Sequence, residues 1–222
     1  MKIAAVILAA GRGRRMDAGI NKVHLSLGGR PLLWHTLRAF SAVSGIDELV
    51  VVAHRGEEER IRALAPEGES SFRIVPGGAH RRDSSLAGVR AVHADVVLIH
   101  DGARPFPSSA LIKRVMQGAI DHGACVPALA VNDTLRAVDS EGWLTERTIP
   151  RDGLVRMQTP QGFSTDLIRT CLEESDPRIT DDAAAVLRRG TRVWTVPGEA
   201  TNLKVTTADD LELAEAICSI CS

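Results

Sequence analysis

The feature that most constrains this fold is a short apolar run that leads directly into a glycine-containing, strongly cationic loop. Residues 4–16 read AAVILAAGRGRRM, and Lys22 follows six residues later. The apolar part predicts a buried strand, and glycines after it let the backbone approach phosphate oxygens closely. Several cations in one such loop predict a site for a nucleoside triphosphate. The small residues expected to line that site are Ala9, Ala10, Gly11 and Gly13, and the cations are Arg12, Arg14, Arg15 and Lys22.

This loop differs from two familiar phosphate-binding loops. A G-x-G-x-x-G loop would need glycine where Met16 stands, and a Walker A loop would need Gly-Lys followed by Ser or Thr after a four-residue gap. The pattern therefore disfavours dinucleotide binding and ATP hydrolysis. The alternative is a glycine-rich turn between strand and helix whose arginines are incidental.

Composition excludes several classes of protein. The 222 residues suit a single domain, residues 1–222, that buries a core without disulfides. With 27 basic and 28 acidic residues, the net charge of −1 provides no global attraction for nucleic acid or membranes. Four unevenly spaced cysteines indicate a reduced, cytoplasmic setting, and the first apolar run is too short for a signal peptide or a spanning helix.

Apolar runs alternate with helical patterns along the chain. The runs are short and poor in polar residues, as expected for strands covered on both faces. The alternation predicts an α/β fold, a Rossmann-like, doubly wound and mostly parallel sheet that binds its ligand beyond the carboxyl ends of the strands. The predicted strands are residues 3–8, 48–53, 72–75, 96–99, 124–127, 192–196 and 202–206, and the helices are 31–43, 57–64, 83–92, 108–121 and 208–217. A further helix begins at Thr180–Ala183.

The alternation is interrupted at residues 132–151, NDTLRAVDSEGWLTERTIPR. Apolar and polar residues alternate here around Asp139–Gly142, which predicts a β-hairpin projecting from the sheet. An isolated hairpin is marginally stable in water, so we expect this arm to pack on another subunit.

Two further clusters follow predicted strands. In GGAHRRDSS, residues 77–85, the glycines can admit a flat base while Ser84 offers a hydroxyl; helix capping by Asp83 or Ser84 is the alternative. In HDGARP, residues 100–105, Asp101 could hold a sugar hydroxyl or Mg²⁺ and Arg104 an anion. An internal ion pair between Asp101 and Arg104 is the alternative there.

Taken together, these segments resemble the 2-C-methyl-D-erythritol 4-phosphate cytidylyltransferases, within the Rossmann-like nucleotidyltransferases that use nucleoside triphosphates and sugar phosphates. The resemblance runs nearly end to end, and nine segments in the same order make it specific. They are LAAGRGRRM, the Lys22 position, GGAHRRDSS, HDGARP, NDTLR, TIPRDGL, QTPQGF, TDDAA and NLKVTTADDL.

The resemblance implies that CTP and 2-C-methyl-D-erythritol 4-phosphate combine with Mg²⁺ present, giving 4-diphosphocytidyl-2-C-methyl-D-erythritol and pyrophosphate. It also implies a homodimer whose hairpin serves the partner's site. Arg15 and Lys22 would stabilise the transition state. The implied CTP contacts are Ala9, Ala10, Gly11, Gly13, Gly78, Ala79 and Ser84, and the implied sugar-phosphate contacts are Arg151, Lys204, Asp101, Arg104 and Thr134. The protein ligands of the metal stay unassigned.

Two rival functions stay open at this point. One is a cytidylyltransferase for ribitol 5-phosphate or another polyol phosphate, and the other is a nucleotide-binding sensor without catalysis. The chain also departs from the family pattern. Asn21 stands where many relatives have proline, which predicts a looser placement of Lys22, and Gly102 replaces the more usual alanine.

Overall fold

A computed structural model describes residues 1–11, 21–65 and 72–221 of the chain. In these ranges twelve strands and seven α-helices form, in an order that alternates along much of the chain. The strands are β1 Ile3–Leu8, β2 Ser26–Leu27, β3 Arg30–Pro31, β4 Glu48–Ala53, β5 Arg73–Pro76, β6 Val96–Asp101, β7 Ala124–Ala130, β8 Leu135–Val138, β9 Leu144–Ile149, β10 Val155–Met157, β11 Gln161–Ser164 and β12 Trp194–Pro197. The helices are α1 Leu32–Ser41, α2 Glu58–Arg62, α3 Arg81–Arg90, α4 Ser109–His122, α5 Thr165–Glu174, α6 Asp182–Arg188 and α7 Ala208–Cys221, with a 3₁₀ turn at Lys22–His24.

The central sheet has the strand order β10-β7-β11-β6-β1-β4-β5, and β12 also pairs with β7. Strands β5, β4, β1 and β6 run parallel, whereas β11 and β10 are antiparallel to their neighbours. The chain leaves β1 toward β4 on one side and later returns to pair β6 on the other. Such a reversal opens a crevice at the carboxyl ends of β1 and its neighbours, which confirms the expected doubly wound, mostly parallel architecture.

Helices cover both faces of the sheet because its strands alternate their side chains between two apolar cores. Ala4 and Val6 of β1 pack with residues of α3, α5 and α6. Ala5 and Ile7 pack with residues of α1, α2 and α4 on the opposite face. These side chains of β1 are fully buried, so β1 lies at the centre of the molecule and presents its carboxyl end to the crevice.

Helix α3 lies unusually close to the sheet because Gly88 carries no side chain. A β-carbon at this position would lie 2.3 Å from Cγ1 of Val6 and 2.9 Å from Cγ2 of Val52. From the first residue of α3, the Arg81 side chain reaches Asp101 at the carboxyl end of β6.

Most predicted elements lie within a few residues of the observed ones. Ser108 caps α4 by accepting a hydrogen bond from the backbone N–H of Leu111 at 3.0 Å, as expected. Two of the predictions were wrong. Pro31 ends a two-residue strand rather than occupying the first position of α1. Residues 202–206 form no strand but an irregular segment, in which the backbone N–H of Val205 donates to the carbonyl of Ala103.

The predicted hairpin consists of β8 and β9, which pair with each other as a separate two-stranded sheet. The Asp139 carboxylate closes the turn by accepting the backbone N–H groups of Glu141 and Trp143 at 3.0 and 2.9 Å. Val138, Trp143 and Leu144 are 61–70 % exposed, although all three are apolar. Among the helices that the structure describes, none is long and apolar enough to cross a membrane.

Candidate active site

A cleft of about 1070 Å³ opens at the carboxyl ends of the central strands. Its walls come from separate parts of the sequence that the parallel sheet brings to one edge. They are the ends of β1, β4 and β6, the loop from β5 into α3, the 3₁₀ turn, and the irregular segment before α7. The cleft-lining residues that were expected from the sequence are Ala10, Gly11, Lys22, Gly78, Ala79, Ser84, Asp101 and Lys204.

The loop between β5 and α3 packs tightly against Ala10, the second residue after β1. A β-carbon on Gly77 would lie 2.4 Å from that of Ala10, so only glycine fits here without movement. Ser84 fastens the loop by accepting from the N–H of Gly78 and donating to the carbonyl of His80, both at 3.2 Å. The helix-capping interpretation is thus confirmed in part, because the Asp83 carboxylate also accepts the His80 N–H at 3.1 Å.

Four charged residues form an ion-pair network along one wall of the cleft: Asp182, Arg81, Asp101 and Lys204. Arg81 donates to Asp182 at 2.8 Å and to Oδ1 of Asp101 at 3.4 Å. Lys204 donates to Oδ2 of Asp101 at 2.7 Å. The side chains are 0, 25, 12 and 37 % exposed in the order given, so the network runs from the core to the open cleft.

The network sets the charge states of its members. Burial alone would raise the pKa of Asp101, but the adjacent Arg81 and Lys204 charges, with Arg104 further off, outweigh it and hold the pKa well below its usual range. Burial likewise acts to lower the pKa of Arg81, and the carboxylates of Asp182 and Asp101 raise it overall. Arg81 and Asp101 are therefore charged near neutral pH, and their ion pairs hold Arg81 and Lys204 at the cleft wall.

His100 and Thr159 form a hydrogen-bonded chain that holds the backbone of Asp101. Burial lowers the pKa of this fully buried histidine to about 4, so its ring is neutral near pH 7. Its Nε2 lies 3.1 Å from the Arg104 carbonyl, and its Nδ1 lies 3.1 Å from Oγ1 of Thr159. That hydroxyl oxygen also accepts the Asp101 backbone N–H at 3.1 Å. A neutral ring that donates from Nε2 and accepts at Nδ1 satisfies all three contacts.

The Lys22 ammonium lies close to the segment that carries Lys204. It donates to the carbonyl of Val205 at 3.0 Å, one residue beyond Lys204. Asn21, which stands where many relatives have proline, is hydrogen-bonded to its surroundings. It is 8 % exposed, and its side chain donates to the carbonyl of Ala9 at 2.7 Å.

Four other residues expected to contact substrate, Ala9, Arg104, Thr134 and Arg151, do not line this chain's own cleft. Ala9 is fully buried in the core beneath the cleft. Arg104 turns away from Asp101 and donates to the Asn202 carbonyl at 2.7 Å, so the proposed internal Asp101–Arg104 pair is replaced by the pairs with Arg81 and Lys204. Thr134 and Arg151 are exposed at the base of the hairpin, where Arg151 donates to the carbonyl of Asn132. Arg15 and Gly13 lie outside the described residues.

Comparison with known proteins identifies the family. The sequence model described as "IspD: 2-C-methyl-D-erythritol 4-phosphate cytidylyltransferase" matches residues 3–219. The chain belongs to this family.

Individual members of the IspD family match along nearly the whole chain. The 2-C-methyl-D-erythritol 4-phosphate cytidylyltransferase of Pelotomaculum thermopropionicum is 40 % identical, over 97 % of this chain and 94 % of that protein. The bifunctional enzyme IspD/IspF of Rhodospirillum rubrum is 41 % identical over 97 % of this chain, which spans only 57 % of that longer protein. The crystal structure of the Thermus thermophilus cytidylyltransferase is 36 % identical and superimposes with a TM-score of 0.82, over 99 % of this chain and 100 % of that one.

Sequence reasoning missed several residues that line or support this IspD-family cleft. Arg81 lies one turn of α3 before Ser84, and this spacing could have indicated that both side chains face the same side. His54 and Arg55 line the cleft directly after β4, where the doubly wound fold predicts ligand contacts. Asp182 carried no comparable signal, because only the folded chain brings it to Arg81.

The described residues do not build a protein-held site for the Mg²⁺ that the family resemblance implies. Among them, no three His, Cys, Asp or Glu side chains are grouped to hold a metal ion. Both carboxylate oxygens of Asp101 are already engaged by cations. We therefore treat Mg²⁺ only as a companion of the CTP phosphates and derive no step from it.

We predict that Arg81→Ala destabilises the fold by about 3–5 kcal/mol, because it leaves the fully buried Asp182 carboxylate without its partner. Arg90→Ala is the matched control, since Arg90 lies in the same helix and pairs with Glu173 at the same 2.8 Å but with 59 % of its side chain exposed. That variant should lose less than about 1 kcal/mol. Urea unfolding at pH 7 measures both; equal losses would contradict a structural role for the buried pair.

Proposed function

We propose that this chain transfers the cytidylyl group of CTP to 2-C-methyl-D-erythritol 4-phosphate, releasing pyrophosphate. The products would be 4-diphosphocytidyl-2-C-methyl-D-erythritol and pyrophosphate. Membership of the IspD family supports this reaction, and the cleft supplies a chemically suitable place for it. We further propose a cytoplasmic location, in keeping with the buried thiols of Cys125 and Cys171.

The observation that carries the proposal is the convergence of separate anion-binding groups on one cleft. Ala10 and Gly11 after β1 and the small residues of the Gly78–Ser84 loop line the cleft. Lys22 and Lys204 reach the same cleft from chain positions far apart in sequence. Two negatively charged phosphate groups must meet in this reaction, and cations held at the cleft reduce their mutual repulsion.

The chemistry is an in-line displacement at phosphorus. An oxygen of the sugar-alcohol phosphate attacks the α-phosphorus of CTP, a new P–O bond forms, and the bond to the β-phosphate breaks as pyrophosphate leaves. A phosphate monoester has a second pKa of about 6, so the attacking group is already ionised near neutral pH. A strong general base is unnecessary, and catalysis reduces to positioning and charge stabilisation.

Within this scheme the described cations have distinct roles. Lys22, together with Arg15, would stabilise charge at the CTP phosphates. Lys204 would bind the incoming phosphate, because an ammonium has three donors and its bond to Asp101 uses one of them. Asp101 would in addition accept hydroxyl groups of substrate, and Gly78, Ala79 and Ser84 would contact the cytosine.

We predict that the purified protein, supplied with CTP and Mg²⁺, releases pyrophosphate with methylerythritol phosphate and only weakly with ribitol 5-phosphate. Lys22→Ala and Lys204→Ala should each lower kcat/KM by about 10²-fold or more, since each removes a charge that offsets the transition state. Lys113→Ala, an exposed lysine of α4, is the control and should match the wild type. Preference for ribitol 5-phosphate would instead support the rival cytidylyltransferase, and CTP binding without turnover would support a sensor.

We also propose that the hairpin completes the active site of a second copy. The exposed Val138, Trp143 and Leu144 make an apolar arm of a kind that a lone two-stranded sheet does not stabilise in water. Thr134 and Arg151 at its base are exposed and are not among the residues that line their own chain's cleft. A homodimer in which the arm crosses to the partner would cover the apolar side chains and carry both residues to the partner's substrate phosphate.

Subunit mixing tests this arrangement. Lys22→Ala and Arg151→Ala homodimers should each be nearly inactive at low sugar-phosphate concentration. Co-expressed at equal levels, they should regain about a quarter of wild-type activity, because half of the dimers are then mixed and each of these holds one intact site. A mixture no more active than its parents would contradict a shared site.

A further inference from the structure

Asn21 and Glu57 form a hydrogen-bonded clamp around Lys22 that the proposed reaction does not yet explain. The Asn21 side-chain amide donates to the carbonyl of Ala9 at 2.7 Å and to Oε2 of Glu57 at 2.9 Å. Its oxygen accepts the backbone N–H of Val23 at 3.4 Å. One buried amide thereby joins the end of β1, the loop after β4 and the 3₁₀ turn that begins at Lys22.

Glu57 reaches both flanks of Lys22. While Oε2 accepts from Asn21, Oε1 lies 3.5 Å from Nε2 of His24, which is 6 % exposed. Between these two contacts stand only Lys22 and Val23, and Val23 is itself buried in the core. The backbone of Lys22 is therefore held from both sides, although its own side chain extends to the cleft.

The clamp is anchored to the central sheet. Ala9, which accepts from Asn21, donates its own N–H to the carbonyl of Val52 at 2.8 Å and thereby continues the pairing of β1 with β4. A flexible lysine side chain stabilises a transition state only when its ammonium occupies a fixed place relative to the reacting phosphates. Fixing the backbone from which it extends removes one source of misplacement.

We propose that Asn21 and Glu57 are positioning residues that act on the reaction through Lys22. The inference rests on the proposed function, because it concerns the role of Lys22 in cytidylyl transfer. Neither residue needs to touch a substrate for this role. The clamp fixes the position of the Lys22 backbone relative to the end of β1. Removing the clamp should therefore lower the rate of the chemical step and leave substrate binding unchanged.

The test compares Asn21→Ala and Glu57→Ala with the wild type in pyrophosphate release. Each variant should lower kcat by about 10- to 100-fold with both KM values changed by less than about 2-fold, as expected when a catalytic group is misplaced by an ångström or less. Glu48→Ala is the matched control. Glu48 is the first residue of β4, and its side chain is 21 % exposed, compared with 22 % for Glu57. The Glu48→Ala variant should leave kcat unchanged.

A double variant separates positioning from a general structural effect. If Asn21 acts through Lys22, then Asn21→Ala added to Lys22→Ala should lower kcat no further, whereas independent effects would multiply. Should Asn21→Ala fail to fold in a thermal unfolding control, Glu57→Ala with and without Lys22→Ala decides the question, because its side chain is partly exposed.

The outcomes discriminate between the two proposals. A wild-type protein without cytidylyl transfer would overturn the proposed function. An active wild type with unchanged kcat in both clamp variants, a change in KM alone, or a multiplicative loss in the double variant would overturn the clamp and leave the proposed function standing.

Discussion

The site depends on one buried carboxylate, that of Asp101 at the carboxyl end of β6. It pairs with Arg81 on one oxygen and with Lys204 on the other, and its backbone is tied to Thr159. A lone carboxylate at this depth would be protonated or unstable, so the two cations are a condition of its burial. The same pairs hold those cations at the wall of the cleft, where an anionic substrate would need them.

This interaction links the fold to the chemistry. Arg81 extends to Asp101 from the first residue of α3, and this helix lies close to β1 and β4 because Gly88 leaves room for Val6 and Val52. Lys204 reaches Asp101 from an irregular segment whose backbone bonds to Ala103. The ion pairs at the edge of the sheet therefore depend on how α3 packs at its centre, and they need residues from several separate elements.

Much of the fold could be predicted from the sequence because it depends on local patterns. The apolar run of β1 and the turn at Asp139 are both encoded by adjacent residues, and the structure confirms both. The ion-pair network could not be predicted in this way, since Arg81 and Asp182 are 101 residues apart and Asp101 and Lys204 are 103 apart. The family resemblance pointed to Asp101 and Lys204 as substrate contacts without indicating that they contact each other.

The irregular segment at residues 202–206 is a case in which the local pattern predicted the wrong structure. Its sequence, NLKVT, has the composition of a strand, yet Lys204 and Thr206 line the cleft and the backbone does not pair in the sheet. Similarly, the replacement of proline by Asn21 suggested a looser chain. The buried amide has three hydrogen-bond partners, two of which, the Ala9 carbonyl and the Glu57 carboxylate, are brought to it only by the fold.

The ionisation of Asp101 is the most direct test of this account. Because its pKa in the folded chain lies below that in the unfolded chain, the network stabilises the fold above the ordinary aspartate pKa of about 3.9 and loses this contribution as the pH falls toward the native value. A ¹³C NMR titration of the side-chain carboxyl, assigned with Asp101→Asn, should show that it stays ionised well below the pH at which an ordinary aspartate takes up its proton. A titration at or above the ordinary value would contradict the central role of its pairs with Arg81 and Lys204.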